Sequence, residues 1–336
     1  MAVPTPGVDL WRVMDGLPIG IVVSGPSRIT HVNRAATRLS SGGVRTALAW
    51  QSIVDVIAAA RARGTALREE LELRSPPQWL VVEATPVVDG SHVVAVIRDL
   101  TEMRQLEAVR RDFVANVSHE LRTPIGAIAV LADALASSPG SDDAERLARR
   151  VRAEADRLTE LVADLLDLSR IEAVRPDPSG PGVDLVHVVA QAVARCRPTC
   201  DSHGVAVRVS TSVESATVPG DEGQLVSAVA NLIENAAKYS ESGDPVELEI
   251  TNAEPERVAV IVRDRGVGIP SWELDRIFER FYRVDRARDR GSGGTGLGLA
   301  IVRNVATNHG GSISVESREG EGSVFTLTLP SRRVAS

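Results

Sequence analysis

Ser118-His119-Glu120-Leu121-Arg122-Thr123-Pro124 is the stretch on which the reading of this chain turns. It sets a histidine beside a carboxylate inside a run with helical apolar spacing. At about 100° per residue, Phe113, Val117, Leu121, Pro124, Ile128 and Leu131 gather on one side of that helix, and His119 falls roughly opposite. The spacing predicts a histidine turned to solvent. An exposed imidazole next to a glutamate is a candidate nucleophile with its own base. Thr123 lies one turn on, over the same face. A histidine there would complete a zinc-protease pattern; the threonine removes that reading. Pro124 deletes a helix hydrogen bond, yet the apolar stripe continues past it, so a bend is expected rather than an end.

Outward from this stretch, Asp99 with Glu102 forms a capping box that opens the helix, and Pro139-Gly140-Ser141 breaks it. Asp142 with Glu145 opens a second helix, where Leu147, Val151, Ala155, Leu158, Val162, Leu165 and Leu168 keep a similar stripe. Two such helices form an antiparallel hairpin. Alone it buries little, so a dimeric four-helix bundle completes it. Upstream, Ile19 to Ser24, Ile29 to Asn33, Leu80 to Thr85 and Val93 to Arg98 read as strands. Gly25-Pro26-Ser27 and Asp89-Gly90 are turn signals, and helices fall near Ala35 to Leu39 and Gln51 to Arg63. That is a small α+β domain with an antiparallel sheet. Downstream of a Pro/Gly-rich linker at Arg175 to Gly182, the pattern becomes α/β. Helices are expected near Leu185 to Arg195, Glu222 to Tyr239 and Gly298 to Asn308. Strands are expected at Val205 to Thr211, Val246 to Asn252, Val258 to Arg263, Ser312 to Ser317 and Ser323 to Leu329. A helix layer on one mixed sheet fits them. The expected division is residues 1–100, 101–175, a linker at 176–182, and 183–332.

A chain of 336 residues is expected to hold two or three domains. Its 43% hydrophobic and 25% charged content is that of a globular protein. A net charge of −7 argues against nucleic acid as a partner. Lys238 is the sole lysine among 38 basic residues, which gives it weight, because lysine and arginine are not equivalent at a site. Cys196 and Cys200 read as ordinary thiols rather than a redox pair or half a metal site. No window approaches 18 consecutive apolar residues and the start lacks a signal-peptide pattern, so no membrane span is expected in this chain. A cytoplasmic location follows, membrane-anchored if an upstream segment is missing. His31 and His92 are isolated histidines without a ligand pattern.

Downstream motifs carry chemistry. In Asn231 to Tyr239, Leu225, Val229, Leu232 and Ala236 form the buried side, while Asn231, Asn235 and Lys238 share another stripe. Amide oxygens suit a hard cation such as Mg²⁺ and an ammonium suits phosphate. Asp264-Arg265-Gly266-Val267-Gly268 follows an apolar strand. It joins a carboxylate able to accept from an exocyclic amine to glycines that permit close approach. Gly293-Gly294-Thr295-Gly296-Leu297-Gly298 opens a helix and suits phosphate through free amides and the helix dipole. It is neither a Walker loop nor a good dinucleotide fingerprint. Before it, Arg283, Arg286, Arg288 and Arg290 lie in a polar segment that reads as a lid over a triphosphate.

In order and spacing these motifs resemble the two-component sensor histidine kinases over about Asp99 to Pro330. Ser118 to Pro124 is similar to the phosphoacceptor box, Asn231 to Tyr239 to the N box, and Asp264 to Gly268 to the first glycine box. Phe278-Glu279-Arg280-Phe281-Tyr282-Arg283 is similar to the F box, and Gly294 to Gly298 to the second glycine box. Arg110 to His119 resembles the actinobacterial phosphate-responsive members. The N-terminal region resembles a PAS domain through Gly20 to Asn33 and Arg98-Asp99-Leu100-Thr101.

The resemblance implies a multidomain chain. It would hold an α+β PAS-like sensor, an antiparallel helical hairpin forming a dimeric four-helix bundle, and an α/β sandwich ATP-binding domain of the gyrase-like (Bergerat) type. His119 would take the γ-phosphoryl group of ATP, with Glu120 accepting its ring proton, and pass it to an aspartate of a response-regulator receiver domain. Thr123 would orient a hydrolytic water in a phosphatase reaction. Asp264 would read adenine, and Asn235, helped by Asn231, would hold Mg²⁺. Lys238 and Arg283 would contact phosphates, with Tyr239 packed by the nucleotide. Gly266, Gly268, Gly294, Gly296 and Gly298 would let the backbone approach it. Alternatives are a gyrase-like ATPase without phosphohistidine and a catalytically silent dimeric signalling scaffold.

Overall fold

The computed structural model describes residues 10–40, 44–74, 77–87, 91–137, 142–174, 176–177, 180, 182–213, 216–254, 256–284 and 294–331. Asp89-Gly90, Pro139-Gly140-Ser141, residues Arg175, Pro178, Ser179 and Pro181 of the Pro/Gly-rich linker, and the arginines Arg286, Arg288 and Arg290 lie outside these residues. Contacts divide the chain into two compact units, residues 1–115 and 116–336.

The first unit comprises α1 (Leu10–Asp15), β1 (Gly20–Ser24), β2 (Ile29–Val32), α2 (Arg34–Ser40), α3 (Val44–Arg63), β3 (Leu67–Arg74), β4 (Pro77–Pro86), β5 (Val93–Asp99) and the start of α4 (Thr101–Ser137). Its sheet has the order β2-β1-β5-β4-β3, antiparallel throughout. Val22, Leu80, Val82, Ala95 and Ile97 from the sheet close a core with Ile53, Val56 and Ile57 of α3. Asn33 is fully buried and fully used. Its Oδ1 accepts from Ile21 and Ala36 amides at 2.8 and 2.9 Å, and its Nδ2 donates to the carbonyls of Met14 and Ile19.

Sequence reasoning missed β3, Leu67-Arg68-Glu69-Glu70-Leu71-Glu72-Leu73-Arg74. It is an edge strand, where charge protects against further pairing, and Glu69 interrupts the alternation of the leucines that pack on the core. The capping residue Asp99 still pairs with Leu80 in the sheet. Its Oδ1 takes the Thr101 amide at 2.9 Å, so α4 starts as β5 ends.

The second unit holds the remainder of α4, then α5 (Asp142–Ala173), β6 (Gly182–Asp184), α6 (Leu185–His203), β7 (Val207–Thr211) and β8 (Thr217–Pro219). It continues with α7 (Glu222–Tyr239), β9 (Val246–Glu254), β10 (Arg257–Arg263), α8 (Gly298–Asn308), β11 (Ser312–Arg318) and β12 (Gly322–Pro330). The sheet order is β11-β12-β10-β9-β7; β7 and β9 are parallel and the other pairs antiparallel. Helices α6, α7 and α8 form one layer on it. Leu185, Leu225, Leu232, Ile233, Leu248, Ile250, Leu297 and Ile301 are fully buried between. Each contributes about 1.5–3 kcal/mol by burial.

Two expectations are corrected in this unit. Gly182 does not belong to the linker: it opens β6, opposite Pro219 in a two-stranded sheet with β8. Helix α6 does not stop at Arg195 ahead of Pro198. Cys196 and Cys200, buried on either side of the proline, hold it on the core, and it ends at Gly204 in the left-handed region (φ 66°).

Candidate functional site

Helix α4 runs without interruption through Pro124, its one buried residue. Phe113, Val117, Leu121, Ile128 and Leu131 are half-buried, whereas His119 and Thr123 are exposed. The Thr123 hydroxyl donates to the His119 carbonyl at 3.2 Å, within the helix's own turn. Glu120 is half-buried, and the structure does not place it on the imidazole: neighbours in a helix point about 100° apart. The ring of His119 thus stands exposed on α4.

The glycine motifs and α7 converge. Asp221 caps α7, its side chain accepting from the Gln224 amide at 2.8 Å, and this fixes the phase of the helix. Leu225, Val229, Leu232 and Ala236 go inside; Asn231, Asn235 and Lys238 are half-buried on the other side and Tyr239 is exposed. Asn231 spends its Nδ2 on the Ser227 carbonyl at 2.9 Å, which leaves Oδ1 facing Gly298. A Cβ on Gly298 would stand 2.5 Å from that oxygen, so only glycine admits the start of α8 there. A Cβ on Gly294 would come within 3.0 Å of Lys238 Nζ, which places the ammonium against the glycine-rich loop. At the end of α7, a Cβ on Gly266 would collide with the Tyr239 carbonyl at 2.0 Å.

Asp264 follows β10 and is 5% exposed. Its Oδ1 takes the amides of Gly266 at 2.9 Å and Ser323 at 3.1 Å. Burial pushes its carboxyl above the usual range, and these amide bonds pull it back toward ionisation. With Oδ1 committed, Oδ2 is the oxygen left for a ligand. Gly268 and Gly296 adopt φ of 69° and 71°, as turns at such loops require. The Gly296 carbonyl also accepts the Phe281 amide at 2.8 Å, tying the F-box segment to the second glycine motif. Phe281 itself holds φ 63°, and Arg283 is half-buried. Beside them, the Tyr282 hydroxyl donates to Glu273 and the Arg276 guanidinium lies 4.2 Å from the Tyr282 ring centre.

Several functional neighbours were not found from sequence. Ser323 supplies an amide to Asp264 from 59 residues away. His309 is 5% exposed, accepts the Asp221 amide on Nε2 at 3.0 Å, and has Nδ1 2.8 Å from the Val305 carbonyl. Burial lowers its pKa, so it serves as a neutral strut between α8 and the α7 cap. Thr295, within a quoted motif but given no role, bonds to Asp164 of α5. Cys196 and Cys200 are free and buried, with burial pushing both thiols up, as inert structural cysteines require.

Residues 109–174 match the His Kinase A (phospho-acceptor) domain, and residues 220–333 match the histidine kinase-, DNA gyrase B-, and HSP90-like ATPase family. The chain thus carries, in order, the phospho-acceptor and ATPase domains of a histidine kinase. It is 44% identical over 243 residues to sensor-like histidine kinase SenX3 of Mycolicibacterium smegmatis, covering 72% of this chain and 63% of that protein. It is 38% identical over 246 residues to sensor histidine kinase WalK of Bacillus subtilis, covering 72% of this chain and 40% of that one. The chain therefore spans less than two thirds of these relatives' length. Among solved structures, histidine kinase ThkA in complex with response regulator protein TrrA matches with a TM-score of 0.53 and 18% identity, over 96% of this chain and 99% of that one, a likeness of fold. No described helix is long and apolar enough to cross a membrane.

Proposed function

We infer that the protein phosphorylates His119 from ATP and passes the phosphoryl group to an aspartate of a response-regulator receiver domain. The observation that carries this is the convergence of α7 with both glycine motifs: Asn231 on Gly298, Lys238 on Gly294, Tyr239 on Gly266. Those contacts would surround a nucleotide, with Asp264 as the carboxylate for adenine and Lys238 as the cation for phosphate. Asn231 Oδ1, turned to the loop, and Asn235 suit Mg²⁺, which accepts amide oxygens together with phosphate and water. A Mg²⁺ held there would neutralise phosphate charge. Arg283 would contact phosphate, and Gly268 and Gly296 supply the turns.

One ring nitrogen of His119 attacks the γ-phosphorus as its bond to the bridging oxygen breaks and ADP leaves, and Glu120 receives the proton of the other ring nitrogen after a side-chain rotation that brings it there. Positioning and charge neutralisation supply most of the acceleration in phosphoryl transfer. Thr123, exposed one turn from His119, holds a water in line for hydrolysis of the regulator's acyl phosphate. The hairpin of residues 101–175 dimerises through its apolar stripe, and residues 183–332 bind nucleotide. Residues 1–100 form a PAS-like sensor, a reading favoured by a five-stranded antiparallel sheet with helices α2 and α3 between its second and third strands.

Incubation with γ-labelled ATP tests the assignment. Wild type should acquire acid-labile, base-stable label that His119→Ala abolishes. ATP turnover without label on the protein would overturn it in favour of a plain ATPase.

A further inference from the structure

The C-terminal half of α5 buries a stripe that departs from the one expected for the bundle and shares only Leu168 with it. Leu161, Leu168 and Ile171 are 5%, 1% and 3% exposed, and the intervening position at helical spacing is Asp164. A carboxylate in an apolar stripe calls for a partner, and it has one. Thr295 of the glycine-rich loop donates its hydroxyl to Asp164 Oδ2 at 2.5 Å. The same hydroxyl oxygen accepts the Leu297 amide at 3.2 Å, just before α8.

A threonine hydroxyl has one proton. While Asp164 holds it, Thr295 cannot give it to a phosphate oxygen. Asp164 also brings a negative charge to the loop where a triphosphate would bring several. Other contacts secure the same docking: Arg280 pairs with Glu172, Asn308 Nδ2 donates to the Ile171 carbonyl at 2.8 Å, and Gln224 Nε2 donates to the Val174 carbonyl at 3.2 Å. The first arises in the F-box segment, the second at the end of α8, and the third in the first turn of α7.

We propose that Asp164 is an internal competitor of nucleotide: by occupying Thr295 it latches the ATP-binding domain onto α5, and a nucleoside triphosphate must break that latch to bind. This rests on the nucleotide reading above. Asp164 is a positioning residue, acting on nucleotide through Thr295. Binding and docking are then linked reciprocally: nucleotide loosens α5, and loss of the latch tightens nucleotide.

The test uses the full chain with a fluorescent ATP analogue and Mg²⁺, and amide hydrogen exchange across 161–174 with and without nucleotide. Asp164→Ala should tighten the dissociation constant roughly tenfold, the factor that one charge-assisted hydrogen bond of about 1.4 kcal/mol represents. Asp164→Asn keeps an acceptor without the charge and should fall between. In wild type, nucleotide should raise exchange at the end of α5; in Asp164→Ala, exchange should already be high and nucleotide should add little. Equal or weaker binding by Asp164→Ala overturns the latch and leaves the nucleotide site standing. No binding by wild type or either variant overturns the nucleotide reading, and the latch with it.

Discussion

Replacing Gly266 by alanine tests how the first glycine motif is built. The added Cβ would stand 2.0 Å from the Tyr239 carbonyl oxygen and 2.6 Å from its carbon. Ordinary carbon–oxygen approaches are about 3.3 Å or more, so one partner must retreat by over ~1 Å. Both are backbone, and neither moves alone. The Tyr239 carbonyl also accepts the Val267 amide at 3.3 Å, and the Gly266 amide holds Asp264 Oδ1 at 2.9 Å. Overpacking of this kind costs about 1–3 kcal/mol. For a unit of this size that is a fall in melting temperature of about 2–12 °C. Moving the turn also moves Asp264, so affinity for a fluorescent ATP analogue should fall at least about tenfold, a loss of about 1.4 kcal/mol. Circular dichroism melts and analogue titrations read the two effects separately. Gly126→Ala is the control: nothing lies within 4 Å of its Cβ, and a helix-interior glycine-to-alanine change should stabilise by about 0.5–1 kcal/mol. A Gly266→Ala protein that melts and binds as wild type would refute the close packing of these segments.

Asp264→Asn should leave folding near wild type, since the amide oxygen can take the Gly266 and Ser323 amides. It should weaken nucleotide binding by about 1.5–3 kcal/mol, because an NH₂ then faces the adenine amine; unchanged affinity removes Asp264 from adenine recognition. His309 is neutral in the fold with a lowered pKa, so its contribution is fully present above the ordinary value of about 6.5 and is lost as pH falls through the folded pKa. Melting temperatures from pH 7.5 to pH 5 should therefore fall more steeply for wild type than for His309→Asn, and parallel curves would exclude the strut. Thr123→Ala removes an exposed hydroxyl whose hydrogen bond among the described residues goes to a helix carbonyl, so stability should stay within about 0.5 kcal/mol. Self-labelling from ATP should persist in this variant, while dephosphorylation of a phosphorylated regulator should be lost; loss of both would place Thr123 in the kinase step.

What could be read from the sequence was local and periodic. The stripe of α4 and the buried face of α7 repeat over enough residues to declare themselves, the cap at Asp99 is local, and the outward turn of His119 followed from the same geometry; along α5 the expected stripe holds only in part, because Ala155 and Val162 are exposed while Leu161 and Ile171 are buried. β3 escaped because its charged residues serve a sheet edge. β6 and β8, of three residues each, exist only through pairing with one another. The end of α6 escaped because a proline was weighed without the buried cysteines flanking it. Within the candidate site the principal residues belong to motifs, but their partners are distant: Ser323 for Asp264, Asp221 for His309, Asp164 for Thr295. No spacing rule connects residues separated by 59, 88 or 131 positions.

The chain holds one lysine, and its ammonium rests against Gly294 of the glycine-rich loop. Apart from its N-terminus, this chain therefore offers amine-directed reagents a single target, at the proposed nucleotide site. Its acylation rate would follow the opening and filling of that loop without any engineered label. Few proteins of this size provide so direct a chemical gauge of their own binding pocket.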